Sequence, residues 1–246
     1  HHFTVEPQPL EVPPPTDAAS IALGQRLAAS RGCMECHGAD GKGRVFIDQM
    51  PVMRLIPSNI TPGGATATYT NDDWARAVRH GVRPDGTPIL FMPAEDYRYM
   101  DDADLGAIVA YLRSIPASDS DPGKTSIGPM GRILFIAGQL PLVPAAVLDH
   151  EAPAPAKPPV GRTAAYGEYL AHMCVGCHGP RLSGGPIPGV PPEWPPAANI
   201  TSDATTGIGR MTEEQFITVM RTGRMPSGHQ IDPGHMPWRQ LALMTD

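Results

Sequence analysis

Cys33-Met34-Glu35-Cys36-His37 is matched 141 residues later by Cys174-Val175-Gly176-Cys177-His178. Each run is C-x-x-C-H, the attachment signature of a c-type haem. Two thiols one helical turn apart can each add to a vinyl group of the macrocycle. The adjacent histidine is then delivered beneath the iron as an axial ligand. A C-x-x-C pair alone also suits a redox dithiol or half of a zinc site. The histidine that follows, seen twice, and the lack of any fifth cysteine argue against both. Two covalent haems would consume all four cysteines, so the chain is expected to fold around two macrocycles.

Composition makes that demand sharper. Aromatic residues are 6% of the 246 and prolines number 30, which leaves little large apolar mass for two cores. A buried macrocycle in each would supply it. The formal net charge is −6, with both signs mixed along the chain, so nothing resembles a basic nucleic-acid footprint. Mild acidity favours a partner with a basic docking face. The sequence shows neither a signal peptide nor a run of about twenty apolar residues. Haem attachment to C-x-x-C-H in bacteria takes place outside the cytoplasmic membrane. The expectation is a mature or truncated form of an exported protein, with a signal or N-terminal anchor upstream.

The two halves repeat one plan. Cys33–His37 aligns with Cys174–His178, Asn59-Ile60-Thr61 with Asn199-Ile200-Thr201, Arg79-His80-Gly81 with Arg221-Thr222-Gly223, and Met92-Pro93 with Met236-Pro237, at offsets of 140 to 144. Four landmarks in constant order indicate duplication. Local signals make both halves helical. Thr16-Asp17 caps a helix bearing Ile21, Leu23 and Leu27 that stops at Gly32. Asn71-Asp72-Asp73 starts a helix over Trp74–His80, with Gly81 as its stop. Asp101-Asp102 opens a helix with Leu105, Ile108, Val109 and Leu112 on one face, ended by Pro116. In the second half, Ala164–Met173 precedes the attachment motif and Thr212-Glu213-Glu214-Gln215 has the form of a capping box.

The expected organisation is therefore all-α, with residues 1–116 and 161–246 as two domains and 117–160 as a linker. The linker ends in the Pro/Ala run Glu151–Pro155, expected to be extended and stiff. Its middle, residues 131–140, is strongly apolar. Pro141, Pro144, Arg132 and Gln139 speak against a membrane span there. Packing over the domains, or docking to a membrane surface or partner, remain the readings.

The second axial position decides the chemistry of a haem. Met92 lies 55 residues past His37 and Met236 lies 58 past His178, each followed by proline in a loop after the middle helix. A thioether favours ferrous iron, raises the potential and closes the iron to substrates. Most of the twelve methionines read as core filler; Met100 and Met225 are the main competitors. Met225-Pro226 has the same dipeptide, but alignment sets it beside Arg83, just after the middle helix. His80 and His235 align with Thr222 and Phe91, so a ligand role for either would exist in one copy alone. Asn59 and Asn199 suit a haem propionate, a pin for the methionine loop, or a simple Asn turn. Trp74 and its approximate counterpart Phe216 suit either a haem edge or the core.

With Cys33–Gly38, Met92-Pro93 and the closing Tyr111–Pro116, the first half resembles class I cytochrome c. The second, from Tyr166–Leu170 through Cys174–Gly179 to Met236-Pro237-Trp238, looks like another copy. The whole is similar to bacterial dihaem cytochromes c that serve membrane dehydrogenases and respiratory chains. That resemblance implies two haem c groups. Cys33, Cys36, Cys174 and Cys177 would be thioether sites, and His37, Met92, His178 and Met236 iron ligands. It implies an electron carrier rather than an enzyme, working between a donor and an acceptor protein in the periplasm or at the outer face of the cytoplasmic membrane, with no nucleic acid. A subunit of a larger respiratory or photosynthetic assembly, or of a filament, is compatible with this. A dihaem peroxidase or thiosulfate-oxidising enzyme needs an open iron, which two matched Met-Pro loops oppose. The second copy stops at Met244-Thr245-Asp246, where the first enters its last helix, so a further helix is expected beyond Asp246.

Overall fold

The structure is a computed structural model and describes residues 2–7, 9–153, 156–190 and 193–245. The chain is mainly helical, as the periodicity implies: α1 (Ala18–Ser30), α2 (Cys33–His37), α3 (Asn71–His80), α4 (Ala94–Tyr97), α5 (Asp102–Ser114), α6 (Pro129–Ile136), α7 (Ala164–His178), α8 (Glu213–Thr222) and α9 (Trp238–Leu241). It is not purely so. Strands β1 (Ile47–Gln49), β2 (Met53–Leu55) and β3 (Ser126–Ile127) form a small antiparallel sheet in the order β1-β2-β3, a departure from the all-α expectation. Strands of two or three residues leave too little alternation to stand out in the sequence.

The first half is built on the crossing of α1 and α5. Gly24 makes it possible. A Cβ there would lie 1.9 Å from the Ala107 carbonyl oxygen and 2.9 Å from Cβ of Tyr111, so the two backbones are in direct contact. Around this crossing Leu10, Ala28, Ile60, Trp74, Met100, Leu105, Ile108, Val109 and Leu112 form the core. The caps follow the sequence with one difference. Asp17 and Asp101 cap α1 and α5, but α3 is capped by Thr70 in a reciprocal box with Asp73. Asn71 is drawn away to accept from Arg113 (2.8 Å).

Residues 117–153 do not run free. After β3, α6 lays Leu134 against a second cluster of Met53, Leu55, Leu140 and Leu142. Its opposite side leaves Ile133, Phe135 and Ile136 exposed, Ile136 by 84%. A 3-10 turn, Pro144–Ala146, then sets Ala145 beside Val82 and Val5. Of the expected stiff Pro/Ala run, Ala154 and Pro155 lie outside the described residues.

The second half repeats the elements with thinner cover. α7 runs unbroken into its C-x-x-C-H, whereas α1 stops and Gly32, at φ +79°, turns the chain into α2. Only Tyr169 of α7 is buried. Gly167, three residues before Leu170 as Gly24 is before Leu27, has nothing within 4 Å of a Cβ. Thr212 and Gln215 form the anticipated capping box on α8. Arg79 donates to the Met100 carbonyl, and Arg221 donates likewise to that of Met244. The halves pack reciprocally: α4, which follows Met92, touches α7, and α9, which follows Met236, touches α1. Asp246, from which a further helix was expected, lies outside the described residues. Among the described residues no helix is long and apolar enough to cross a membrane.

Candidate haem centres

In each copy the histidine of the motif is held by the same device. Nδ1 of His37 lies 2.7 Å from the Ser58 carbonyl oxygen, and Nδ1 of His178 lies 2.7 Å from that of Ala198. A carbonyl only accepts, so Nδ1 is the donor, and the lone pair of a neutral ring is left on Nε2. Burial holds the His37 ring below its ordinary basicity, which favours that neutral form. The loops beneath match too. Gly43 N donates to His37 O at 2.7 Å and Gly184 N to His178 O at 2.9 Å; Ile60 N reaches Gly41 O, and Ile200 N reaches Leu182 O. Gly41 takes φ +74° and its counterpart Leu182 takes φ +56°, so the second copy accepts a left-handed residue without glycine.

The four thiols form no disulfide. Burial pushes Cys33 and Cys36 up to about 11, with the facing thiol adding to it for Cys33 and Glu35 for Cys36. A redox dithiol needs the reverse, a thiol lowered towards the working pH. Thiols raised in this way are a poor exchange centre.

The loops that carry Met92 and Met236 share the backbone contacts that flank them. Ile89 N donates to Gly81 O and Ile231 N to Gly223 O, bringing each loop back over the end of its middle helix. Ala94 N then closes on Met92 O at 2.7 Å and Trp238 N on Met236 O at 2.8 Å, with Pro93 and Pro237 as N-caps of α4 and α9. Met225 sits elsewhere. Its N–H donates to His229 O in a hairpin that corresponds to Arg83 and Thr87 in the first copy, as the alignment expects. Met100 is a core residue, 1% exposed. His80 is buried against His150, with Nδ1 atoms 3.1 Å apart, while His235 packs edge-on to Trp194 at 4.8 Å between ring centroids.

The asparagines are turn residues in this geometry. Asn59 Oδ1 accepts from Thr61 N, and Asn199 Oδ1 from Thr201 N, each at 2.9 Å. Asn59 Nδ2 donates to the Ser118 and Ser120 carbonyls. Each turn directly follows the carbonyl that holds the histidine. Trp74 is a core residue, 5% exposed, and Phe216 at the matching position is 41% exposed. Two clefts of roughly 240 and 200 Å³ lie beside Trp74 and beside Met225. No cysteine or histidine of either motif lines them.

The carbonyls of Ser58 and Ala198 are invisible to motif reading, because any residue offers one. The repeated Asn-Ile-Thr that follows each was the available signal. Nothing in the sequence pointed to α4, which lies between the motifs. Tyr97 donates to Arg31 O at 2.9 Å, and a Cβ on Gly176 would meet Asp96 at 2.9 Å. Burial there, with Glu95 adding, pushes the Asp96 carboxyl up to about 7. Tyr99 stacks on His172 of α7, with centroids 3.6 Å apart.

Residues 21–116 match the cytochrome c family. The chain is similar to the cytochrome c subunit of a quinone alcohol dehydrogenase from Gluconobacter oxydans (strain 621H), 26% identical over 85% of this chain and 48% of that protein. It is also similar to the gluconate 2-dehydrogenase cytochrome c subunit of Pantoea cypripedii, 30% identical over 84% of this chain and 52% of the relative. The fructose dehydrogenase cytochrome subunit of Gluconobacter japonicus is 29% identical over 93% and 50%. The chain thus spans about half the length of the curated relatives it matches. A helical scaffold with its thiols, a carbonyl-held histidine and a Met-Pro loop in the expected order meets that family match on the same residues: the chain carries a cytochrome c domain over residues 21–116.

Proposed function

We propose that the chain is a two-haem electron-transfer subunit, exported to the outer face of a bacterial membrane, that passes single electrons from a dehydrogenase partner to an acceptor. Cys33 and Cys36 would hold one haem and Cys174 and Cys177 the other, with His37 and Met92, and His178 and Met236, as the residues that would hold the iron. The observation that carries this is the twofold recurrence of one donor set. In both copies a histidine keeps Nε2 free by tying Nδ1 to a carbonyl at 2.7 Å, beside two thiols and ahead of an equivalent Met-Pro loop.

Bound haem supplies a one-electron iron couple. The protein's residues do the rest. The Ser58 and Ala198 carbonyls orient the imidazoles and make them better donors. The thioethers, held by closed loops, fill the remaining position and keep water and substrates out. α4, touching both attachment segments, joins the two centres mechanically, which supports a relay within one chain. The names of the relatives support a dehydrogenase as donor, of the class that oxidises alcohols or sugars. The exposed apolar side of α6 supports work against a partner rather than as a free carrier.

Mass spectrometry of the denatured, purified chain tests the assignment. Two haem masses should be retained, and one after Cys174→Ser/Cys177→Ser. Fewer than two on the native sequence sinks it. Isolation from host membranes with identification of what accompanies the chain tests the partner.

A further inference from the structure

We infer that the segment joining the two halves is a working part of the first haem centre: Leu142, through Phe91, positions Met92. This rests on the reading of Met92 as a ligand. Phe91 directly precedes Met92 and adopts φ +62°, a left-handed conformation that an aromatic residue takes only when its surroundings impose it. Those surroundings come from the joining segment. The Phe91 N–H donates to the Leu142 carbonyl at 3.1 Å. Its ring packs against Met53, Leu55, Leu140 and Leu142, the two last being 4% and 5% exposed. Three residues on, Ala145 closes over the other end of the same loop. A Cβ on Gly81, whose carbonyl receives Ile89 N, would lie 3.2 Å from Cβ of Ala94 and 3.8 Å from that of Ala145.

Among the described residues, no hydrogen bond runs from the joining segment to the loop that carries Met236. Met236 and His235 both donate to Asp232 O within their own turn, at 3.1 and 3.0 Å. His235, matching Phe91, rests on Trp194 of the same half. One methionine loop is held locally and the other by a segment from 50 residues further along. Loosening that segment should therefore release one thioether and spare the other.

The test uses the holoprotein and the far-red Met–iron absorption, read during titration with imidazole, which takes the sixth position only when the thioether leaves. In a Met236→Ala background the band reports the first centre alone, and in a Met92→Ala background the second. Leu142→Ala should lower the imidazole concentration that bleaches the first-centre band at least about tenfold, since apparent affinity scales with the fraction of open iron. The second-centre band should be unmoved and Leu142→Met should restore the first. Leu142→Val, a milder change, gives the same comparison should the alanine variant not fold. Equal bleaching with and without the Leu142 change, or equal effects on both centres, overturns the inference. If Met92→Ala itself leaves the first-centre spectrum intact, the ligand assignment fails instead, and the two failures are distinct.

Discussion

The Tyr169 hydroxyl donates to Oδ2 of Asp104 at 2.7 Å, across the seam between the two attachment halves. The same hydroxyl oxygen accepts from Asp101 N at 3.2 Å, and Lys157 holds the other carboxylate oxygen at 2.6 Å. This buried network is what the cap of α5 contributes to the contact between halves. Tyr169→Phe removes one donor and leaves Asp104 with Lys157. A loss of roughly 1–3 kcal/mol is expected, the usual cost of stranding a buried polar group. Denaturant unfolding of the holoprotein measures it. An unchanged midpoint would mean the seam carries no load.

Two glycines at corresponding helix positions should respond in opposite directions. Gly24→Ala would press a methyl to 1.9 Å from the Ala107 oxygen. Separation of α1 from α5 should cost about 3 kcal/mol or more. Gly167 has nothing within 4 Å of the same position. Alanine there should stabilise α7 by up to about 1 kcal/mol through helix propensity alone. Thermal unfolding of both variants decides; a destabilising Gly167→Ala would mean that something covers α7 in solution.

His80 should make stability fall in mild acid. Burial, with His150 and the neighbouring arginines adding, holds its ring down to about 4 against an ordinary value near 6.5. Between these values the unfolded chain binds a proton that the folded chain refuses, so stability is complete above about 6.5 and is lost as pH falls towards 4. His80→Gln should flatten the unfolding midpoint against pH across that window. A slope the same in the variant would assign the effect elsewhere.

The methionines proposed as axial ligands give the sharpest substitution test. Met236→Ala should lower the second centre's potential by on the order of a few tenths of a volt, within the roughly 0.8 V that axial ligands span. Met225→Ala, in its hairpin, should leave it nearly unchanged. Redox titration of the two variants checks this, and the opposite pattern would exchange their roles.

By itself the sequence determined whatever is written in short spacing. The C-x-x-C-H runs, the duplication, the caps at Asp17, Asp101 and Thr212, and the relation of Met236 to Met92 all depend on residues close together or on order along the chain. Tertiary structure decided what depends on contact between distant segments. It chose Thr70 over Asn71 as the cap of α3, because Arg113 claims the asparagine. It picked the Ser58 and Ala198 carbonyls to orient the histidines, where any residue offers a carbonyl. It folded residues 117–153 into a strand, a helix and a 3-10 turn, and chose packing of the apolar stretch against Met53 and Leu55 from the readings its composition left open. It also set Phe91 in a left-handed turn against the cluster of Met53, Leu55, Leu140 and Leu142. Local spacing carries the attachment motifs; the burial of chain against chain places the loops around them.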